Sequence, residues 1–441
     1  MQAVRGQILT DFSMFGLRPV LMTGLQAQGF DTPTPIQARA IPLIMQGRDL
    51  LGLAQTGTGK TLAFGLPVMH TLLGAGRPAP KTTQALILAP TRELVNQIAE
   101  TLSGFARKTP LKVQRVVGGA GLNPQIQKLA KGCDILVATP GRLLDLLDRR
   151  ALTLDATQML VLDEADQMLD LGFIHALRKI ASLLPKERQT LMFSATMSKQ
   201  MNEIAEAYLD RPERIQVAPP GKPAEKIDQS VHFVAQGDKA RLLEGYLNAH
   251  PEDLALVFAR TKHGAEKLMK LLGSWGIAAG SIHGNKSQGQ RERTLRQFRA
   301  GEIKVLVATD VAARGIDIPD MRHVYNYELP EVPENYIHRI GRTARAGASG
   351  RAIAFCAPAE MGDLRAIERM MKRDLAVIGG TPWSDDLAGP ARAAARKRGP
   401  GRGGPRPARS GGEARKPRAR SGAKRRGPGK PGGGERRQGA A

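Results

Sequence analysis

Cysteine is scarce: two residues, Cys133 and Cys356, in a chain of 441. They stand far apart and form no CxxC pair, which excludes a disulfide framework and a Cys-rich zinc site and suits a reducing compartment. Aromatic residues make up only 4%, too thin for a protein that binds single strands by stacking bases on aromatic platforms. No apolar run approaches the ~20 residues needed to cross a bilayer, so no membrane span is expected. Met1–Thr10 lacks the apolar stretch of a signal peptide, and a cytoplasmic location is expected. Acidic residues are also few: 41 Asp and Glu face 65 Lys and Arg, a net charge of +24. Such an excess points to a polyanionic partner, nucleic acid first and an anionic membrane surface second. Hydrophobic residues, at 41%, are plentiful enough to build a globular core.

The positive charge is uneven. Residues 391–441 carry 17 Lys and Arg against 2 acidic residues, +15 of the +24. With almost no large apolar side chain this segment cannot bury enough surface to offset its ordering entropy, and it is expected to be disordered. Its charge density suits a salt-sensitive RNA tether, with a solubilising tail as the plainer reading. The body alternates short apolar runs with helical stretches. Asp49–Ala54, Ala85–Pro90, Val113–Gly118, Asp134–Thr139, Met159–Asp163 and Thr190–Ser194 form one series. Continuous apolar runs of this length suit parallel strands buried on both faces. The series ends at a proline-rich stretch, Ala218–Pro223, and a second follows: Gln229–Val234, Leu254–Ala259, Gly280–His283, Lys304–Thr309, His323–Tyr327 and Arg351–Cys356. The tetrapeptide Leu136–Thr139 recurs as Leu306–Thr309. Two similar α/β domains fit both series. The expected boundaries are 1–217 for the first domain, 218–226 for a linker, 227–378 for the second domain and 379–441 for a basic tail rich in Arg, Gly and Pro.

The chemistry-bearing residues stand at strand ends, where open α/β sheets bind ligands. Gln55, Thr56, Gly57, Thr58, Gly59, Lys60 and Thr61 follow the first run and open a helical stretch. They form a P-loop, GxxxxGK[ST], in which Ala54 replaces the first glycine. Backbone N–H groups of such a loop curl around phosphate oxygens, and the following helix N-terminus adds positive potential. Lys60 can reach the β- and γ-phosphates of a nucleotide, and the Thr61 hydroxyl can bind Mg²⁺. Asp163, Glu164, Ala165 and Asp166 end the run Met159–Leu162. A carboxylate there is where P-loop NTPases hold Mg²⁺, which makes Asp163 a candidate metal ligand beside Thr61. Glu164 can polarise the attacking water. His283 and His338 have no second ligand at metal-binding spacing, which favours structural roles.

These residues, in this order, resemble the DEAD-box ATP-dependent RNA helicases, and within them the bacterial RNA helicase E type. The likeness runs over about residues 12–360. It implies two RecA-like parallel-sheet domains in tandem, with ATP and Mg²⁺ as cofactors and RNA as partner. Gly29–Gln37 is similar to the family's Q motif, with Phe12 as the upstream aromatic. By that likeness Phe30 packs on adenine and Gln37 reads its hydrogen-bonding edge. Pro90, Thr91 and Arg92, then Gly118 and Gly119, then Thr139, Pro140, Gly141 and Arg142 resemble RNA-binding motifs. Ser194 and Thr196 belong to the motif that links ATP state to unwinding, coupled to Asp166. In the second half Arg260 and Thr261, the Gln290–Arg293 segment and Thr309 resemble RNA-facing motifs. Gly315 and Asp317 match the positions near the ATP ribose. Arg342 and Arg345 match arginine fingers that enter the site from the second domain. Ala344 stands where the commonest family form has glycine.

The resemblance implies RNA-stimulated ATP hydrolysis coupled to local separation of short duplexes, with contacts mainly to phosphates and 2′-hydroxyls. Ribosomal or RNA-degradation complexes are the expected setting. An ATP-gated RNA clamp that rarely unwinds is the alternative from a binding class, separable by a duplex-release assay. A DNA translocase of the same superfamily is the other, separable by comparing stimulation by RNA and DNA.

Overall fold

The computed structural model describes residues 11–54, 57–217, 227–313, 318, 321–344 and 349–383. The expected linker at 218–226 lies outside the described residues, as does the basic tail from 384 onward.

The first half builds β1 (Leu50–Leu53), β2 (Thr83–Leu88), β3 (Val113–Val116), β4 (Cys133–Ala138), β5 (Met159–Leu162), β6 (Gln189–Ser194) and β7 (Glu213–Gln216). The second builds β8 (Ile227–Phe233), β9 (Leu254–Phe258), β10 (Ala279–Ile282), β11 (Val305–Ala308), β12 (Met321–Asn326), β13 (Gly350–Cys356) and β14 (Ala376–Gly379). The strand orders are β3-β4-β2-β5-β6-β1-β7 and β10-β11-β9-β12-β13-β8-β14. Counted from the start of each half, the two orders are identical, and the strand pairs run parallel. The repeated tetrapeptide ends β4 in one sheet and β11 in the other, the same place in both. These are the tandem RecA-like domains that the sequence led us to expect.

The central strands of each sheet are buried on both faces because they are largely apolar, as in β2, β5, β9 and β11. Successive side chains of a strand point to opposite faces. Ala85 and Ile87 of β2 therefore join one core cluster while Leu86 and Leu88 join another on the far side. In the second sheet Leu256 and Phe258 face one cluster and Ala255 and Val257 the other.

Two strands escape the apolar-run reading. β7, Glu213–Gln216, lies between the last apolar run and the proline-rich stretch at Ala218–Pro223. Of its residues Ile215 alone is buried, as suits the last strand beside β1. β14 is likewise an edge strand, mostly exposed. β14 ends at Gly379, and beyond it the Trp383 indole Nε1 donates to the Cys356 carbonyl at 3.0 Å. Among the described residues no helix is long and apolar enough to cross a membrane.

Candidate active site and nucleic-acid interface

The P-loop connects β1 to the helix Lys60–Leu72. Gly57 and Gly59 have φ of 85° and 89°, a region that favours glycine, so the loop needs them for its turn. A Cβ on Gly59 would also meet Gln37 Nε2 at 2.6 Å. Gln55 and Thr56 lie outside the described residues. Lys60 is 6% exposed. Its ammonium donates to the Ala54 carbonyl at 3.2 Å and lies 3.6 Å from Asp163 Oδ1. Asp163 is at the carboxyl end of β5, next to β2 and β6. Burial pushes its carboxyl up to about 6; the Lys60 ammonium opposes that and the Glu164 charge adds to it. Its Oδ1 accepts the Glu164 N–H at 3.0 Å. Glu164 is buried and holds φ 52°, ψ 51°, a left-handed backbone that a glutamate enters at a cost. The P-loop lysine, the candidate metal-site carboxylate and the candidate catalytic acid are thus drawn into one buried corner.

Asp166 faces the other way. Its Oδ2 accepts the Ala195 N–H at 3.1 Å, the Thr196 N–H at 2.9 Å and the Thr196 hydroxyl at 3.0 Å. The Ser194 hydroxyl donates to the Thr196 carbonyl at 2.6 Å. The segment after β6 is therefore fastened to the helix that carries the acidic tetrapeptide.

Gln37 sits on the helix Pro35–Met45. Its Oε1 accepts the Thr34 N–H at 2.9 Å and its Nε2 donates to the Gly59 carbonyl at 3.0 Å. In this structure both ends of the amide serve the protein, tying the Q-motif segment to the P-loop. Phe30 is 40% exposed and stacks toward Phe105 at 6.4 Å. Phe12, expected at the nucleotide, is 1% exposed and packs edge-on against Phe15. Its ring belongs to the core, because an apolar side chain with no polar atom gains most by leaving water.

The RNA-motif residues of the first domain converge at the carboxyl ends of β2, β3 and β4. Pro90 and Thr91 follow β2, and the Thr91 hydroxyl caps the helix Arg92–Ala106 by accepting the Leu94 N–H at 3.3 Å. The Arg92 guanidinium lies against the glycine pair: a Cβ on Gly119, φ 73°, would meet its Nη1 at 2.2 Å. Thr139 and Pro140 start the helix Pro140–Asp148, followed by Gly141. Arg142 donates to the Ala120 carbonyl at 3.1 Å. Two arginines thus frame one glycine loop.

In the second domain Thr261 caps the helix Lys262–Ser274 by accepting the Gly264 N–H at 3.0 Å. Thr309 follows β11 and its carbonyl accepts from Ala312 and Ala313. Arg260, expected to face RNA, is held by protein groups. It donates to the Leu329 carbonyl at 2.8 Å and to Asp363 Oδ2 at 3.2 Å, with Glu331 and Glu360 within 3.7 Å. So many acceptors around one guanidinium make it a tie between strand ends. Arg342 is 2% exposed, and its Nε donates to the His338 carbonyl at 3.1 Å. Gly315, Asp317 and Arg345 lie outside the described residues. His283 pairs with Glu266 at 3.0 Å.

Three residues of consequence lie within the motif segments but have no role of their own assigned from the sequence. Arg339 is 1% exposed and makes a bidentate pair with Asp310, at 2.5 and 2.8 Å. It also donates to Asn326 and to the Glu328 carbonyl, and lies over the Phe258 ring. One guanidinium so joins the ends of β9, β11 and β12 beside Arg342. Glu93 and Arg291 pair at 3.0 Å, joining the first domain's RNA motif to the helix Gln288–Arg299. Beside them Arg92 donates to Gln288 at 3.3 Å. Opposite charges nearly two hundred positions apart give no spacing signal. Their only sequence trace is that both fall in segments resembling RNA motifs.

Fold and site together define a two-domain nucleotide-driven machine of RecA-like architecture. A DEAD/DEAH box helicase family matches residues 34–204, and a helicase conserved C-terminal domain matches residues 238–347. An ATP-dependent RNA helicase of Listeria monocytogenes, CshA, is 44% identical over 389 residues, 88% of this chain and 74% of that protein. A DEAD-box ATP-dependent RNA helicase CshA of Geobacillus kaustophilus is 42% identical, over 88% of this chain and 82% of the relative. The structure of S. cerevisiae Dbp5 bound to RNA and ADP BeF3 aligns with a TM-score of 0.76 at 32% identity, covering 84% of this chain and 96% of that one. The chain belongs to the DEAD-box ATP-dependent RNA helicases, enzymes that hydrolyse ATP. The bacterial relatives named here are CshA proteins, not RNA helicase E, so the narrower type suggested by the motifs does not carry over to them.

Proposed function

We propose that this helicase works through a site divided between its domains, closed by RNA and ATP together. The observation that carries this reading is the buried corner of Lys60, Asp163 and Glu164 in the first domain, set against Arg342 in the second. ATP displaces Lys60 from the Ala54 carbonyl, and its ammonium then meets the β- and γ-phosphates. Glu164 accepts a proton from the attacking water. Asp163, a desolvated carboxylate, together with the hydroxyl of Thr61 in the first turn of the helix after the P-loop, offers the oxygen ligands that suit a hard cation such as Mg²⁺. A Mg²⁺ ion held by Asp163 and Thr61 would supply charge neutralisation to the nucleotide phosphates. Phe30 and Gln37 contact adenine, for which the Gln37 amide must exchange a protein partner for the base.

Arg342 and Arg345 stabilise charge that develops on the γ-phosphate only when the domains approach. RNA lies over Arg92, Gly119, Arg142 and Thr309 and is gripped through its backbone, so sequence preference is low. By reciprocity, ATP tightens the hold on RNA as much as RNA tightens the closed ATP state. A grip incompatible with A-form duplex bends one strand and releases the other. We place the activity in the cytoplasm, on ribosomal or RNA-degradation complexes, with the basic residues 391–441 as an RNA tether.

Arginine-finger action separates turnover from binding. Arg342→Ala and Arg342→Lys in the full chain should each lower kcat steeply, by about 10³-fold or more for a finger, with a smaller change in ATP affinity. Melting curves exclude misfolding of the variants. A change confined to KM would mean that Arg342 holds ground-state ATP only.

A further inference from the structure

At the opposite end of the second sheet from every motif above, three side chains from distant parts of the chain meet. His250 ends the helix Lys239–Ala249, Asp253 precedes β9, and His323 enters β12. β9 and β12 are neighbours, with His323 in register with Ala255. The Asp253 N–H donates to the His250 carbonyl at 3.2 Å, so the turn between them holds both on one side. Ligating atoms of the three lie within 4.8 Å of one another. His323 Nε2 is 2.9 Å from Asp253 Oδ2, and His250 Nδ1 is 3.9 Å from the same oxygen.

A plain His–Asp pair does not account for this cluster. His323 is 6% exposed, so packing fixes its ring with Nε2 toward Asp253. The two imidazole rings also lie 4.6 Å apart at 27°, bringing two nitrogen donors together for no hydrogen bond between them.

We propose that His250, Asp253 and His323 form a binding site for a divalent transition-metal ion, with Zn²⁺ as the natural occupant. Two imidazoles and one carboxylate suit Zn²⁺, whereas Ca²⁺ and Mg²⁺ prefer oxygen alone. Bonds of about 2.0–2.2 Å place ligand atoms roughly 3.3 Å apart, between the two distances found here. His250 and Asp253 are each 37% exposed, so His250 turns to close the longer gap while His323 stays fixed. Their exposure leaves room for a water as fourth ligand. Neither thiol takes part: Cys133 lies in the other sheet and Cys356 is buried in β13. The ion would fasten the end of one helix to the entry ends of two strands. It therefore acts on the stability of the second domain and not on ATP chemistry, which occupies the other end of the sheet.

The test uses the full chain without an affinity tag, stripped with a chelator. Zn²⁺ is titrated by calorimetry, and Co²⁺ replaces it for absorption spectroscopy. One Zn²⁺ should bind per chain at this site and raise the melting temperature, and Co²⁺ should give ligand-field bands of an imidazole site. His250→Ala and Asp253→Asn, both at partly exposed positions, should each weaken that binding about tenfold or more and abolish the thermal shift. Their RNA-stimulated ATP turnover without zinc should match wild type. His263→Ala, a solvent-facing control, should bind as wild type does. Wild-type protein that takes up no Zn²⁺, or equal affinity in both site variants, would overturn the proposal.

Discussion

Asp166 and Thr196 are joined twice through a single oxygen: Asp166 Oδ2 accepts both the backbone N–H and the hydroxyl of Thr196, at 2.9 and 3.0 Å. The same helix begins at Ala165, directly after the candidate catalytic acid Glu164. A shift of that acid on ATP binding must therefore move the segment after β6. Hydrogen bonds to a charged acceptor contribute about 1.5–3 kcal/mol each. Thr196→Ala removes one of the two and leaves the chemistry corner untouched. It should keep RNA-stimulated ATP turnover within a few-fold of wild type while duplex release falls by about tenfold. Measured side by side, equal losses in both activities would show that this contact supports the site and does not couple it to unwinding.

Ala344 holds φ 56°, a left-handed backbone, just after Arg342 and Thr343. For a residue with a Cβ that conformation costs about 1–2 kcal/mol. Glycine avoids that cost but loses about 0.5–1 kcal/mol of chain entropy on folding. Ala344→Gly should therefore stabilise the domain by about 0.5–1 kcal/mol. Chemical denaturation of the two proteins checks it, and a loss of stability would mean the strain is absent in solution.

Glu266 is held well below its ordinary carboxylate value, at about 2, by hydrogen bonds from Lys286, His283 and Ser281. A folded-state pKa depressed from 4.5 gives stability that is complete above the unfolded value and is lost as pH falls through the window down to about 2. Glu266→Gln should therefore be less stable than wild type at pH 7. The difference should shrink steadily below about pH 4.5. Melting temperatures at neutral and acid pH, compared between the two, decide it; a gap that widens in acid would reverse the assignment.

Apolar runs reveal the central strands because those strands are buried on both faces, and the P-loop and acidic tetrapeptide are contiguous in the chain. β7 and β14 hide because edge strands are short and mixed in polarity. Phe12 is assigned to the nucleotide only by its place upstream of the Q motif, whereas its burial against Phe15 in the core is a tertiary contact that no motif announces. The arginines show the limit most plainly. Arg260, Arg339 and Arg342 are equivalent letters in basic stretches, yet Arg260 is tied to Asp363 and the Leu329 carbonyl, Arg339 to Asp310 and the Glu328 carbonyl, and Arg342 to the His338 carbonyl. Which carboxylates fold against which guanidinium is set by strand order, a property of contacts far apart in sequence. The His250–Asp253–His323 cluster is hidden for the same reason, since β9 and β12 become neighbours only in the sheet.

The central claim is that Glu164 activates water in a site that RNA brings to completion. The direct test is ATP turnover, with and without RNA, by wild type and Glu164→Gln, alongside equilibrium nucleotide binding by both. Wild-type turnover should rise with RNA. The variant should bind ATP with nearly wild-type affinity, because the carboxylate acts on water and not on the nucleotide, and should show no RNA-stimulated hydrolysis. Hydrolysis by Glu164→Gln at the wild-type rate in the presence of RNA would contradict the account.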